Sequence, residues 1–158
     1  MVKKNPLATD LIGEKTIKTN EKINFFGNLD EASAFIMDFY HIIEDNNLKE
    51  FLVNVVENLS IAMAETAGGK IKLEEEKLIK LQKIVNEYNN KIGAFNGFIL
   101  PGTTPIGAKA HIVRTVVRRA ERAYAKVYEN YGGSKVIFEY LNKLSTLFYL
   151  IARNYDEN

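Results

Sequence analysis

The sequence contains no cysteine at any of its 158 positions. This absence excludes a disulfide framework, a thiolate nucleophile and a zinc–thiolate site, and it makes a reducing cytoplasm the simplest compartment. Also missing is any run of roughly 18 consecutive apolar residues that could span a membrane. The basic N-terminal stretch MVKKNPLATDLIGEK lacks the apolar segment of a signal peptide. We therefore expect neither export nor membrane insertion.

An excess of one charge is missing as well. The 21 Lys and Arg residues balance the 20 Asp and Glu residues, for a formal net charge of +1. A general nucleic-acid-binding domain usually has a strong basic excess, so we expect no nucleic acid partner. Any anion-binding site must then be local. The content of 46% apolar and 26% charged residues is that of an ordinary globular protein.

What the sequence does have is a helical period along almost its whole length. Apolar residues recur at three- and four-residue spacings in five segments, and no segment alternates as a strand would. We predict an all-α fold: a single domain over 1–158 in which five helices form an up-and-down bundle within 27–154, after an irregular segment over 1–25.

Capping signals set the predicted helix boundaries. Asn28, with Glu31 three residues on, resembles a capping box and predicts the start of the first helix. Thr104 before Pro105 predicts an N-cap followed by proline at the first helical position of the fourth helix. Ser134 is the predicted cap of the fifth helix.

Four arginines fall within nine residues of the segment HIVRTVVRRAER. At about 100° per residue, Arg118 and Arg122 lie about 40° and 80° around the helix from Arg114, while Arg119 lies near 140°. Two like-charged i,i+4 pairs result, each costing a few tenths of a kcal/mol in an isolated helix. The row is either a solvated face or a surface whose repulsion is offset by a phosphate-bearing ligand or by carboxylates from another helix. The spacing alone leaves both interpretations open.

Other polar or aromatic candidates are weaker taken singly. Asp30 is explained by its place near the start of the first predicted helix, although it is also available to an arginine on another helix. Phe98, in the glycine- and proline-rich loop GAFNGFILPGTTP, is expected to be a core plug more readily than a binding wall. His111 has no Ser or Cys partner at an informative spacing, so we interpret it as structural. We recognise no set of metal ligands.

Four segments together resemble one family. GNLDEASAF, FILPG, RTVVRRAER and YLNKLSTLFYLIAR match, in order and separation, segments of the PduO-type ATP:cob(I)alamin adenosyltransferases. The resemblance covers about Lys15 to Arg153. It implies a homotrimer of five-helix subunits, with ATP and cobalamin bound in clefts between neighbours. The implied reaction transfers the 5′-deoxyadenosyl group of ATP to the cobalt of cob(I)alamin and releases triphosphate, with Mg²⁺ accompanying the nucleotide.

The resemblance also implies residues with a direct part in the reaction. Arg114 matches an arginine that pairs with an aspartate, here Asp30, in an ion pair shaping the interface between ATP and cobalamin. Arg118 matches an arginine that contacts ATP. Phe98 matches a phenylalanine that packs against the lower face of the corrin and displaces the lower cobalt ligand, which makes Co(II) easier to reduce.

Further residues are implied to hold the nucleotide. Lys18 matches a lysine that contacts the triphosphate. Glu121 matches an acidic residue beside the ATP-contacting Arg118, and Asn142 matches an asparagine that contacts the nucleotide. Arg119 belongs to the same motif, but its direction on the helix suggests a structural or subunit-contact role.

One family segment is absent from the sequence. The family begins with a Thr- and Gly-rich TxTGDxGxT segment that cradles the triphosphate, whereas this chain reads MVKKNPLATDLIG. Lys3, Lys4 or Lys15 are candidates to replace its contacts. Two hypotheses follow: an active adenosyltransferase with an altered phosphate site, which we favour, and a non-catalytic trimeric helical protein that binds nucleotide or cobalamin and has lost the phosphate loop.

Overall fold

The computed structural model describes residues 7–9, 15–94 and 97–157. These contain two short strands and five helices, which confirms the predicted five-helix, all-α bundle. The elements are β1 Leu7–Thr9, β2 Lys15–Ile17, α1 Glu21–Ile42, α2 Asn46–Thr66, α3 Glu75–Ile92, α4 Pro105–Tyr131 and α5 Lys135–Asp156.

The helices pack in the lateral order α2, α1, α4, α5, α3. Helix α4 packs between α1 and α5, while α2 packs on α1 and α3 on α5. The core contains aromatic pairs that join different helices, such as the edge-to-face contact of Phe39 on α1 with Phe148 on α5. Inside it, the Asn58 amide of α2 donates to the Tyr140 hydroxyl of α5 at 3.1 Å. No helix among the described residues is long and apolar enough to cross a bilayer.

The predicted start of the first helix is wrong. Helix α1 begins at Glu21, where the Asn20 side chain accepts a hydrogen bond from the backbone of Lys22 at 2.9 Å. Asn28 is buried inside the helix, and its amide donates to the Asn24 carbonyl one turn earlier at 2.7 Å. Asp30 therefore lies in the third turn of α1, where the helix dipole does not account for it.

The prediction of an irregular segment over 1–25 is also wrong. Strands β1 and β2 pair antiparallel, with Leu7 opposite Ile17 and Thr9 opposite Lys15. Three-residue strands are too short to show an alternating pattern, so the periodicity could not reveal them. The predicted phosphate-contact candidates Lys3 and Lys4 lie outside the described residues.

The capping signals predicted for α4 and α5 are confirmed. Thr104 accepts from the backbone of Gly107 at 3.0 Å, with Pro105 at the first helical position. Ser134 caps α5 through the backbone of Ile137. Gly132, at φ +72°, ends α4 in a conformation that side-chain-bearing residues rarely adopt. These boundaries fix how the arginines of α4 are presented.

Candidate functional site

Helix α4 buries one side and exposes the arginines on another, as its sequence pattern predicts. The buried residues are Gly107, Ala110, Val113, Val116, Val117, Ala120, Ala123, Tyr124 and Val127. Arg118, Arg119 and Arg122 are exposed, and Arg114 is half-buried. We call these four arginines the arginine face, and their surroundings differ.

Arg114 does not pair with Asp30 within one chain. Its Nε donates instead to His111 Nδ1, one turn earlier on α4, at 3.1 Å. Asp30 is exposed, and it lies about 160° around α1 from Asn28, which contacts α4. The side of α1 that carries Asp30 therefore faces away from α4 of the same chain.

Arg119 connects α4 to α1. Its Nε donates to Asn28 Oδ1 at 3.1 Å, and its Nη2 forms an ion pair with Glu31. Asn28 thus donates to α1 itself and accepts from α4, which fixes the orientation of its amide. These contacts agree with the structural role suggested by the direction of Arg119 on the helix.

Glu121 and Asn142, two residues that the resemblance assigns to the nucleotide site, are in contact. The Asn142 amide of α5 donates to Glu121 Oε1 of α4 at 3.1 Å. Arg118, one turn before Glu121, is exposed and has no side-chain partner among the described residues. Its full set of guanidinium donors is therefore available to an anionic ligand.

A cleft of about 640 Å³ lies between α1 and α4, next to the Arg119 and Arg122 side of the arginine face. Lys18, Arg119, Arg122 and Lys126 line it, with Glu31 as their one acidic neighbour in the lining. The excess of cations suits a polyphosphate. Sequence analysis missed Lys126, although it continues the i,i+4 row that runs through Arg118 and Arg122. Lys18 belongs to this cleft, whereas Glu121 and Asn142 do not line it.

Phe98 is not a core plug. Its side chain is 88% exposed, and Leu100 beside it is 64% exposed. Two large apolar side chains therefore project from the loop between α3 and α4. A phenylalanine that fills the core and a phenylalanine that is exposed for contact look the same in a single sequence. The sequence pattern therefore could not distinguish the two.

The loop after Phe98 is fastened by Asp156, a residue that sequence analysis missed. Asp156 Oδ2 accepts from the Gly102 backbone at 2.8 Å, and Oδ1 accepts from the Thr104 backbone and hydroxyl at 3.0 and 2.8 Å. His111 Nε2 lies 3.8 Å from Oδ2. A contact between residues more than 50 positions apart leaves no local signal in the sequence.

Burial and charge shift the pKa of both residues in this contact. Burial, with a smaller contribution from Arg114, lowers the pKa of His111 although Asp156 acts in the opposite direction. Burial alone would raise the pKa of Asp156, but hydrogen bonds from Gly102 and Thr104, with His111 nearby, outweigh it and lower that pKa. Near neutral pH the imidazole is therefore neutral and the carboxylate is ionised.

The chain is similar in sequence to known adenosyltransferases. A family model described as cobalamin adenosyltransferase matches residues 7–155. The corrinoid adenosyltransferase of Mycobacterium tuberculosis is 30% identical over 152 residues, with 88% of this chain and 78% of that protein covered. Corrinoid adenosyltransferase PduO of Salmonella typhimurium is 26% identical over 153 residues, with 92% of this chain covered. The chain spans 46% of the length of that relative.

Solved structures share the fold. A variant PduO-type ATP:corrinoid adenosyltransferase from Lactobacillus reuteri, complexed with cobalamin and ATP, superposes with a TM-score of 0.87 at 20% identity, covering 96% of this chain and 87% of the other. A second variant from the same organism, complexed with ATP, gives 0.86 at 22% identity, covering 96% and 90%. At these identities the likeness establishes the bundle architecture.

Proposed function

The chain belongs to the cobalamin adenosyltransferase family, and from that membership we propose that it transfers the 5′-deoxyadenosyl group of ATP to cob(I)alamin and releases triphosphate. The observation that carries the proposal is the state of Arg118. It stands exposed and without a side-chain partner in the described part of the chain, one turn from the bonded Glu121–Asn142 pair. Each like-charged i,i+4 pair in the row costs a few tenths of a kcal/mol, and the phosphates of ATP would offset that cost.

We infer that the working unit is a homotrimer with sites between subunits. In one chain, Lys18 lines the cleft between α1 and α4, while Glu121 contacts Asn142 toward α5. Asp30 likewise faces away from Arg114 of its own chain. A neighbouring copy that supplied the missing half would complete both the nucleotide site and the Asp30–Arg114 pair.

The proposed reaction requires no acid or base from the protein. The electron pair of Co(I), in the substrate cob(I)alamin, forms the bond to the ribose C5′, and the C5′–O bond breaks with its electrons leaving on triphosphate. Lys18 and Arg118 would bind the phosphates and stabilise the charge that develops on the leaving group. Exposed Phe98 would lie against the lower face of the corrin and exclude a lower ligand and water. The protein thus contributes mainly alignment and electrostatics.

A magnesium ion fits the same site. The bond between Asn142 and Glu121 uses the Asn142 amide nitrogen and Glu121 Oε1. Glu121 Oε2 and Asn142 Oδ1 remain, and Mg²⁺ favours such oxygens in combination with substrate phosphates. When bound, the ion would neutralise phosphate charge. The described residues contain no group of three or more metal-ligating side chains, which agrees with an ion held largely by the nucleotide.

The test is an assay with chemically reduced cob(I)alamin, ATP and Mg²⁺, followed by the visible absorbance change as the carbon–cobalt bond forms. We expect Arg118→Ala to lower kcat/KM by about 100-fold, the usual effect of removing one donor to a developing anion. The control is Lys83→Ala, which removes a positive charge at an exposed position of α3. This variant should keep wild-type turnover. Wild-type turnover in Arg118→Ala would refute the role of Arg118.

The second candidate is a non-catalytic protein that binds nucleotide or cobalamin, favoured because the residues MVKKNPLATDLIG do not match TxTGDxGxT. Calorimetry with ATP and with cobalamin separates the two. Binding without product formation by the folded wild-type protein would favour the non-catalytic candidate over the enzyme. The lack of cysteine supports a cytoplasmic location for either one.

A further inference from the structure

We propose that His111 is a positioning residue that orients the Arg114 guanidinium, and that Asp156 holds His111 and the Phe98 loop together as one unit. The inference rests on the proposed function for the role of Arg114 in the reaction. Its geometric part stands on the contacts among Arg114, His111 and Asp156.

The hydrogen bond between Arg114 and His111 fixes the tautomer of the imidazole. Arg114 Nε carries a hydrogen and cannot accept, and it lies 3.1 Å from His111 Nδ1. His111 Nδ1 must therefore be the unprotonated ring nitrogen. The neutral ring then carries its proton on Nε2, the nitrogen that lies 3.8 Å from Asp156 Oδ2. The ring is thus polarised from the carboxylate toward the arginine.

The same bond restricts how Arg114 presents its charge. Because Nε donates to His111 on the same helix, this hydrogen bond fixes the plane of the guanidinium. Both terminal amino groups stay without a partner among the described residues, so they remain available to a carboxylate or phosphate. A bidentate contact needs this planar fork in a defined orientation. Without the bond to His111, the Arg114 side chain would rotate freely and would lose conformational entropy each time a ligand binds.

Asp156 lies on the other side of His111, where Oδ2 is 3.8 Å from Nε2, an electrostatic contact longer than a hydrogen bond. Its side chain is 1% exposed and accepts three hydrogen bonds from Gly102 and Thr104. It also packs closely on the first turn of α4, where a Cβ at Gly107 would lie 2.0 Å from Oδ1. One carboxylate therefore joins the end of α5, the loop that carries Phe98 and the helix that carries Arg114. The charged groups that face His111 are Arg114 on its own helix and Asp156 on α5.

A packing role for His111 has to be separated from a positioning role. The imidazole lies beside the Tyr149 ring, with centroids 6.4 Å apart, and an apolar side chain could preserve that contact. His111→Leu keeps bulk and removes the acceptor. His111→Asn keeps an acceptor, because Asn Oδ1 is as many bonds from Cα as His Nδ1. The pair of variants therefore isolates the hydrogen bond to Arg114.

In the cobalamin assay, we expect His111→Leu to lower kcat about tenfold, the effect of one lost hydrogen bond to a charged group. His111→Asn should stay within about threefold of wild type, and both proteins should remain folded by circular dichroism. Wild-type kcat in His111→Leu, or equal losses in the two variants, would overturn the positioning role.

A second readout does not depend on catalysis. Nitrogen-15 NMR of the wild-type imidazole should show the proton on Nε2, and Arg114→Met should raise the pKa of His111 because a neighbouring cation is removed. A proton on Nδ1, or an unchanged pKa in Arg114→Met, would overturn the inference even in an active enzyme. An inactive wild-type protein with the expected spectra would instead refute the proposed function while supporting the geometry at Arg114.

Discussion

Replacing Asp156 by Asn should destabilise the protein well beyond what its small chemical change suggests. The carboxylate accepts three hydrogen bonds, one at Oδ2 from Gly102 and two at Oδ1 from Thr104. If the Asn oxygen takes the place of Oδ1, its amide group faces the Gly102 N–H, and two donors meet. One hydrogen bond to a charged group is then lost, at about 1.5–3 kcal/mol. The other two lose their charge assistance and weaken by roughly half.

Together these losses come to at least about 3 kcal/mol of unfolding free energy. For a domain of this size the melting temperature should fall by at least roughly 6 °C. Urea unfolding at pH 7, followed by circular dichroism, measures the free energy directly. The matched control is Asp38→Asn, which makes the same chemical change at a surface ion pair. The Asp38 side chain is 54% exposed and pairs with Lys109. Such pairs contribute about 0–1 kcal/mol.

The comparison gives a clear refutation. If Asp156→Asn and Asp38→Asn both cost less than about 1 kcal/mol, the three hydrogen bonds to Asp156 do not hold the loop. A large loss in both variants would mean that the measured effect reflects general charge removal. A large loss in Asp156→Asn alone would support the structural account.

Two further predictions concern the buried core and pH. Tyr140→Phe should cost about 1–3 kcal/mol, because it leaves the buried Asn58 amide unpaired. Tyr149→Phe removes the hydroxyl of an exposed tyrosine and should cost less than about 0.5 kcal/mol. Equal losses in the two variants would contradict the reasoning. Because the pKa of His111 is lowered below its usual 6.5, the unfolded chain takes up a proton first as the pH falls. Wild-type stability should therefore drop between pH 7 and about pH 5 more steeply than that of His111→Asn, and parallel urea-midpoint curves would argue against a depressed pKa.

The fold was predictable wherever local chemistry marks a boundary. Thr104 with Pro105 begins α4, and Gly132 ends it, as the sequence indicates. The start of α1 was missed because Asn28 and Glu31 have the spacing of a capping box, although the helix begins at Glu21 with Asn20 as its cap. The structure instead keeps Gly27 within the helix, with nothing within 4 Å of where its Cβ would lie. A single glycine weakens a helix without ending it.

The roles predicted for the candidate-site residues remain predictions, whereas the structure adds contacts that the sequence did not predict. Sequence pattern and resemblance gave Arg118, Glu121 and Asn142, and the structure adds the bond between the last two. The sequence spacing could not identify the partner of Arg114. That partner depends on the rotation of α1 about its axis, which decides whether Asp30 faces α4. The attachment of the Phe98 loop escaped prediction for a similar reason: packing of α5 against α4 creates it.

The contrast between Arg119 and Arg118 has a consequence for how the family can diverge. Arg119 contacts both Asn28 and Glu31, so the three side chains form one set centred on the arginine. Substitutions at these three positions should therefore covary among relatives, and a lineage that loses one member is free to drift at the others. Arg118 has no such partner among the described residues of its own chain. On the proposed role of Arg118, its evolutionary constraint should follow the nucleotide, so relaxed selection at this position would mark a descendant that no longer binds one.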